Sequence, residues 1–84
     1  MILYLPVEEQ LFSPGLGAYH SFGIRALQPV SGHWQEVAFL SDVSCDGALV
    51  LRLAEACTQG QAALCHLQDI VLDALAVPAN DAFS

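Results

Sequence analysis

The chain has 84 residues, of which 55% are hydrophobic and only 13% are charged. Nine acidic residues and two arginines, with no lysine, leave a formal net charge of −7. Nucleic acids and anionic membrane surfaces are bound chiefly through cationic side chains. The composition therefore argues against both as partners.

The apolar residues are too many for a chain of this length to hide. A domain this small buries only about 60–65% of the surface that its unfolded chain exposes, so part of the apolar surface should lie outside and meet a partner. No apolar run approaches the roughly 18–20 residues that a membrane-spanning helix needs. Residues 1–7 lack the basic region of a signal peptide, and three cysteines are an odd number for a disulfide framework. We therefore expect reduced thiols and a cytoplasmic protein.

Three segments have the composition or the alternation of β-strands, namely residues 2–7, 18–27 and 34–40. The segments between them, 13–17 and 28–33, contain proline and glycine and predict turns. Strands joined by such short connections pair with their sequence neighbours. The pattern predicts an antiparallel meander of two to three strands.

Two later segments, residues 48–58 and 64–75, space their apolar residues as amphipathic helices do. Ser44 is the expected N-cap of the first helix, and Gly60 its C-terminal stop. The second should be the main core helix and should end before Pro78. Because the connection is short, we expect an antiparallel two-helix hairpin.

These elements predict an α+β fold, in which the helix hairpin packs on one face of the small antiparallel meander. The prediction is a single domain over residues 1–76, followed by a short flexible tail over residues 77–84. Ten apolar residues are expected in the core: Phe22, Ile24, Val37, Phe39, Leu49, Leu53, Leu67, Ile70, Val71 and Leu75.

The candidate interaction surface combines apolar residues that fall away from this core with a polar helix face. Leu51 and Leu72 point away from the core faces of their helices, while Trp34 is placed on the outer side of the sheet with Tyr19 and Leu27. On the second helix, three polar residues share a face at spacings of three and four, a pattern more typical of a solvated face than of a metal or acid–base site. The candidate residues are Trp34, Leu51, Leu72, His66, Asp69 and Asp73.

The leading functional hypothesis is a small non-enzymatic protein-interaction module. It self-associates, most simply as a homodimer, or binds another protein through its apolar surface or its acidic helix face. No catalytic, cofactor-binding or metal-binding residue is assigned.

Two other functions rest on the cysteines. Cys45, Cys57, Cys65 and His66 offer three thiols and an imidazole, a ligand count that suits a small metal-binding or thiol-based sensor, but their spacing matches no zinc knuckle. An enzyme would need the Cys45 thiol at a helix N-terminus, with His20 or His33 as its base. For the enzyme, the presence of these residue types is the only support.

Four short stretches carry a resemblance to a known family: Ser21–Ile24, Leu40–Ser44, Leu53–Cys57 and Cys65–Leu75. Over residues 18–75 the chain resembles a family of short uncharacterised proteins of anaerobic Gram-positive bacteria. Members show an aromatic-Gly-Ile strand, an Asp-Ile-Ser-like helix cap and a closing helix that begins His-Leu-x-Asp. The chain departs from that pattern in its apolar linker around Pro29 and its lack of lysine. The resemblance supports the fold and implies no activity.

Overall fold

The structure, a computed structural model, describes the backbone of residues 1–81 and the side chains of residues 1–75. Along the chain it contains β1 (Leu3–Ser13), β2 (Gly17–Val30), β3 (His33–Ser44), α1 (Gly47–Gln59), a 3₁₀ turn (Leu64–His66) and α2 (Leu67–Asp81). The strands form one antiparallel sheet in the order β1-β2-β3, packed against the two helices. This confirms the α+β fold and a meander of three strands.

All three strands are longer than the sequence predicts, and β2 extends to Val30 because its turn to β3 is tight. Ser31 and Gly32 form it with φ values of 52° and 81°, and two positive φ values are typical of a type I′ hairpin turn. Pro29, which we expected in the turn, lies in β2 instead. β1 begins its pairing opposite Leu27, so beyond that point β2 has a neighbour on one side only, and a proline without an N–H is tolerated there.

β3 contains two bulges in its pairing with β2, which has no extra residues there. The extra residue Val37 lies between the pairs Ala26↔Ala38 and Leu27↔Glu36, and residues 41–43 bulge opposite Gly23. Asp42, inside this bulge, has a φ of 55°. A Cβ atom on Gly23 would lie 2.5 Å from the Leu40 carbonyl oxygen, so the close approach of the bulged strand requires glycine at this position.

Both helices cover the same face of the sheet. The core between them consists of nine residues: Tyr4, Ile24, Ala26, Val43, Val50, Ala54, Cys57, Leu67 and Val71. Most of these side chains are small, which lets α1 lie close to β1, its main neighbour. The contacts between α1 and α2 are sparser than those between α1 and β1.

Most of the predicted core is confirmed. Ile24, Leu67 and Val71 are buried, and Phe22, Val37, Leu53 and Ile70 pack against the buried cluster. Leu49 is half-buried.

Two core predictions were wrong, because Phe39 is 44% exposed and Leu75 is 37% exposed. Neighbouring strand residues point to opposite faces, so the extra residue Val37 turns Phe39 away from the helices. Leu75 lines an open groove between α2 and β3.

The helix ends differ from the prediction in three places. Asp46, and not Ser44, is the N-cap of α1, since its Oδ1 accepts the N–H groups of Ala48 and Leu49 at 3.1 and 3.2 Å. The expected helix over 64–75 is divided into the 3₁₀ turn and α2. α2 also continues to Asp81, past Pro78, since a proline weakens or kinks a helix without always ending it. Residues 82–84 lie outside the described part of the chain, and the flexibility of the predicted tail stays a prediction.

The face of the sheet opposite the helices, here called the outer face, is covered by none of the described elements. Apart from Gly23 and Pro29, strand register places the following residues on the part of it away from the β1–β2 hairpin: Leu3, Leu5, Val7, Arg25, Leu27, Trp34, Glu36 and Phe39. The molecule measures 43 × 35 × 20 Å, and its radius of gyration is 14.0 Å, against about 12 Å for a compact domain of this length. The fold is therefore a flat slab with one broad apolar side.

Candidate interaction surface

The outer face is built from cross-strand rows of mostly apolar side chains. One row runs from Leu5 through Arg25 to Phe39, and the next joins Leu3 to Leu27. Trp34 stands at the end of the sheet, 53% exposed. Strands with one solvated face usually alternate apolar and polar residues, whereas β1 carries leucine or valine at three successive outer positions. At these positions the outer face is as apolar as a sheet face that is covered by other elements.

Arg25 and Glu36 are the charged residues in this apolar region. Arg25 Nε lies 3.1 Å from Glu36 Oε1, and the two side chains are 42% and 48% exposed. The Nε–H is nevertheless excluded from solvent without a well-directed hydrogen bond, because ion-pair distance alone does not align donor and acceptor. The pair is thus close but incompletely satisfied.

A second group of polar residues, here called the polar cluster, holds the bulge at the other end of the sheet. It consists of Glu9, Tyr19, Ser21, Ser41 and Asp42. The Glu9 carboxylate accepts the Ser41 hydroxyl at 2.8 Å and the Asp42 N–H at 2.8 Å. Asp42 in turn accepts the hydroxyl groups of Ser21 at 2.6 Å and Tyr19 at 3.0 Å. The hydrogen bond to Asp42 raises the pKa of Tyr19 above its ordinary value.

The polar cluster is a structural device. Its carboxylates pair with hydroxyl and amide donors, which satisfies the backbone where the bulge interrupts the β2–β3 ladder. The buried Ser21 hydroxyl also lies 3.3 Å from the Ser44 carbonyl oxygen, so it ties Asp42 and the end of β3 to β2. Sequence reasoning missed this cluster, because it depends on a bulge that alternation does not reveal.

The apolar residues of the predicted surface do not share one patch. Trp34 lies on the outer face. Leu51, 46% exposed, borders a groove between α1 and β1, while Leu72, 56% exposed, borders the groove between α2 and β3. Since β1 and β3 are the two edges of the sheet, the two leucines lie on opposite sides of the domain.

The polar residues of the predicted surface are all exposed. His66 ends the 3₁₀ turn, and Asp69 and Asp73 lie on α2. Within residues 1–75, no hydrogen bond or ion pair joins them. They form a solvated face, and their part in an interaction surface stays a prediction.

The three cysteines are free thiols, with Cys45 and Cys65 exposed and Cys57 buried. Among the described residues, no three side chains of the His, Cys, Asp or Glu type come together to hold a metal ion. Burial raises the pKa of the Cys57 thiol, which opposes the thiolate that metal binding requires. His20 contacts Gln10 and Glu8 on β1, and not Cys45.

No helix in the described part of the chain is long and apolar enough to cross a membrane. No protein-family model matches the chain, and neither curated proteins nor solved structures give a match. The resemblance to the Gram-positive family therefore stays a prediction.

Proposed function

We propose that the chain is a small non-enzymatic protein-interaction module that self-associates through its outer face. The observation that carries this proposal is the apolar composition of a sheet face that the chain's own helices leave uncovered. Burial of apolar surface is the dominant favourable term in protein association. Exposed aromatic side chains such as Trp34 and Phe39 are also typical of the residues that contribute most to binding.

The size of the outer face supports an interface. Three strands about 4.8 Å apart and about ten residues long project roughly 500 Å². Two copies in contact over the whole face, the polar cluster included, would bury about 1,000 Å², which reaches the lower limit for a specific interface. The corrugation of the side chains adds to the buried accessible area.

We also propose the cytoplasm as the compartment, because free thiols suit a reducing environment.

Solution mass tests the proposal. Sedimentation velocity of the untagged protein over a concentration series should show a dimer, with Trp34→Lys and Phe39→Lys shifting the equilibrium towards monomer. Both side chains are about half exposed, so the monomer fold should tolerate the changes, and circular dichroism checks that it does.

Phe12→Lys and Leu16→Lys are matched controls, since both residues are more than 70% exposed and lie at the β1–β2 hairpin, away from the outer-face rows. They should leave the mass unchanged. Leu51→Glu and Leu72→Glu separate the outer face from the two grooves beside the helices. A wild-type monomer at concentrations up to about 1 mM, where even a weak Kd would show, would refute self-association.

A further inference from the structure

We infer that two copies of this chain dock outer face to outer face about a two-fold axis, with Arg25 of each copy paired to Glu36 of the other. This rests on the proposed function and deepens it by naming the arrangement of the two copies and the residues that select it. In a two-fold interface the contacts are reciprocal, so a residue that meets another across the axis does so twice.

Charge is the first argument for a second copy. The chain carries −7 overall, so most ways of bringing two copies together place acidic groups against acidic groups. The rows that carry Arg25 and Glu36 are different, because these two charges sum to zero and the nearest other carboxylates, those of Glu9 and Asp42, already accept hydrogen bonds within the polar cluster. Two such patches are complementary to each other, with one cation and one anion on each.

The second argument is the unused hydrogen-bonding capacity of Arg25. A guanidinium has five N–H donors in a planar fork, and Glu36 lies 3.1 Å from one nitrogen without accepting a well-directed hydrogen bond from it. Both side chains keep more than two-fifths of their surface exposed. Because Nε is shielded, the terminal Nη groups are the donors that a carboxylate arriving from above the sheet would meet, and among the described residues they make no hydrogen bond.

The position of the pair makes this exchange possible. The two-fold axis would run between the two sheets, parallel to them and at right angles to the line from Arg25 to Glu36, above its midpoint. Rotation about this axis places Arg25 of one copy over Glu36 of the other, and Glu36 over Arg25. The flanking residues Leu5, Leu27 and Phe39 would exclude water from these contacts. Charge pairs in such surroundings select partners, because an unmatched charge there is costly.

The test is a charge swap read by sedimentation velocity. Arg25→Glu alone and Glu36→Arg alone each place like charges at both crossing points. We expect each to weaken the dimer at least about 30-fold, the lower bound for truncating one partner of a desolvated charge pair. An equimolar mixture of the two variants should recover the wild-type dimer, and so should the double variant R25E/E36R.

Two further variants control for net charge. Arg52→Glu and Glu55→Arg make the same charge changes at exposed positions of α1 and should leave the dimer constant unchanged. If Arg25→Glu fails to fold, Glu36→Arg and the double variant still give the comparison. Recovery in the mixture requires contact between different copies, which a purely structural role of Arg25 would not produce.

The outcomes separate the two proposals. If the single swaps keep the wild-type constant, or folded single variants fail to recover in the mixture, the Arg25–Glu36 exchange is refuted. Loss of the dimer in Trp34→Lys and Phe39→Lys would still support the outer face in that case. A wild-type monomer at every concentration overturns both proposals.

Discussion

Thr58 covers part of the free edge of β1, and its replacement by valine is expected to destabilise the fold. The Thr58 hydroxyl accepts the Tyr4 N–H at 2.8 Å and donates to the Tyr4 carbonyl oxygen at 3.3 Å. Gln61 does the same for Ile2, at 3.0 and 3.2 Å. These side chains take the place of a neighbouring strand, and Pro6 follows on the same edge with no N–H to pair.

The expected magnitude follows from these two bonds. Each hydrogen bond contributes about 0.5–1.5 kcal/mol net, and the bond at 3.3 Å is long, so Thr58→Val should lower the free energy of unfolding by about 2 kcal/mol. Valine keeps the shape of threonine, so little of this loss comes from packing. For a domain of this size, 2 kcal/mol corresponds to a fall in Tm of about 8–16 °C.

Urea denaturation measures the effect. Wild type and variants must be compared at one protein concentration, because self-association would make stability concentration-dependent. Thr58→Ser retains the hydroxyl and should lie much closer to wild type than Thr58→Val. If valine changes the free energy of unfolding by less than about 0.5 kcal/mol, the size of an ordinary surface substitution, the hydroxyl does not cover the edge as described.

Three further predictions concern stability. Gly23→Ala should lower the free energy of unfolding by about 1–3 kcal/mol, because the new Cβ atom would meet the Leu40 carbonyl oxygen. Gly15 has open space around it, so Gly15→Ala should be nearly neutral in the same urea titration. Asp46→Ala should cost about 1 kcal/mol through loss of the N-cap, and Asp46→Asn should restore most of it. Burial raises the pKa of Cys57 above 9.0 and that of Tyr4 above 10.0. Since these groups ionise first in the unfolded chain, they should make the free energy of unfolding fall as pH rises above about 9 and through the folded-state pKa values. In Cys57→Ala the fall should begin only near pH 10, and a fall beginning equally early would contradict the assignment.

The order of elements could be predicted from the sequence, because periodicity reports which face of a strand or helix is apolar. Strand alternation has a period of two, so it places residues correctly only while the strand is regular. The extra residue Val37 breaks that regularity, and this is why Val37 was placed correctly in the core while Phe39 was not. The other bulge left one trace in the sequence, Gly23 in the middle of a strand, which is a recognised signal of close backbone approach.

The candidate surface was predictable only in part. Trp34 was expected outside and is exposed, but the presence of Phe39 on the same face depends on the shifted register of β3. Leu51 and Leu72 also proved exposed, although helical wheels could not show that they border different edges of the sheet. A wheel reports which way a side chain points relative to its own helix, and the position of that helix on the sheet is a tertiary fact.

The packing shows where the apolar residues that the core does not bury are placed. Ala26 and Ala54 are completely buried, while Phe12, Trp34 and Leu72 are more than half exposed. Small side chains at the sheet–helix contact allow close approach, but they bury little apolar area per residue, and the gain from burial scales with that area. Large side chains left outside bring that gain only when a second surface covers them. A chain that leaves several large apolar side chains outside therefore stands to gain more from association than a domain of the same composition that buries them.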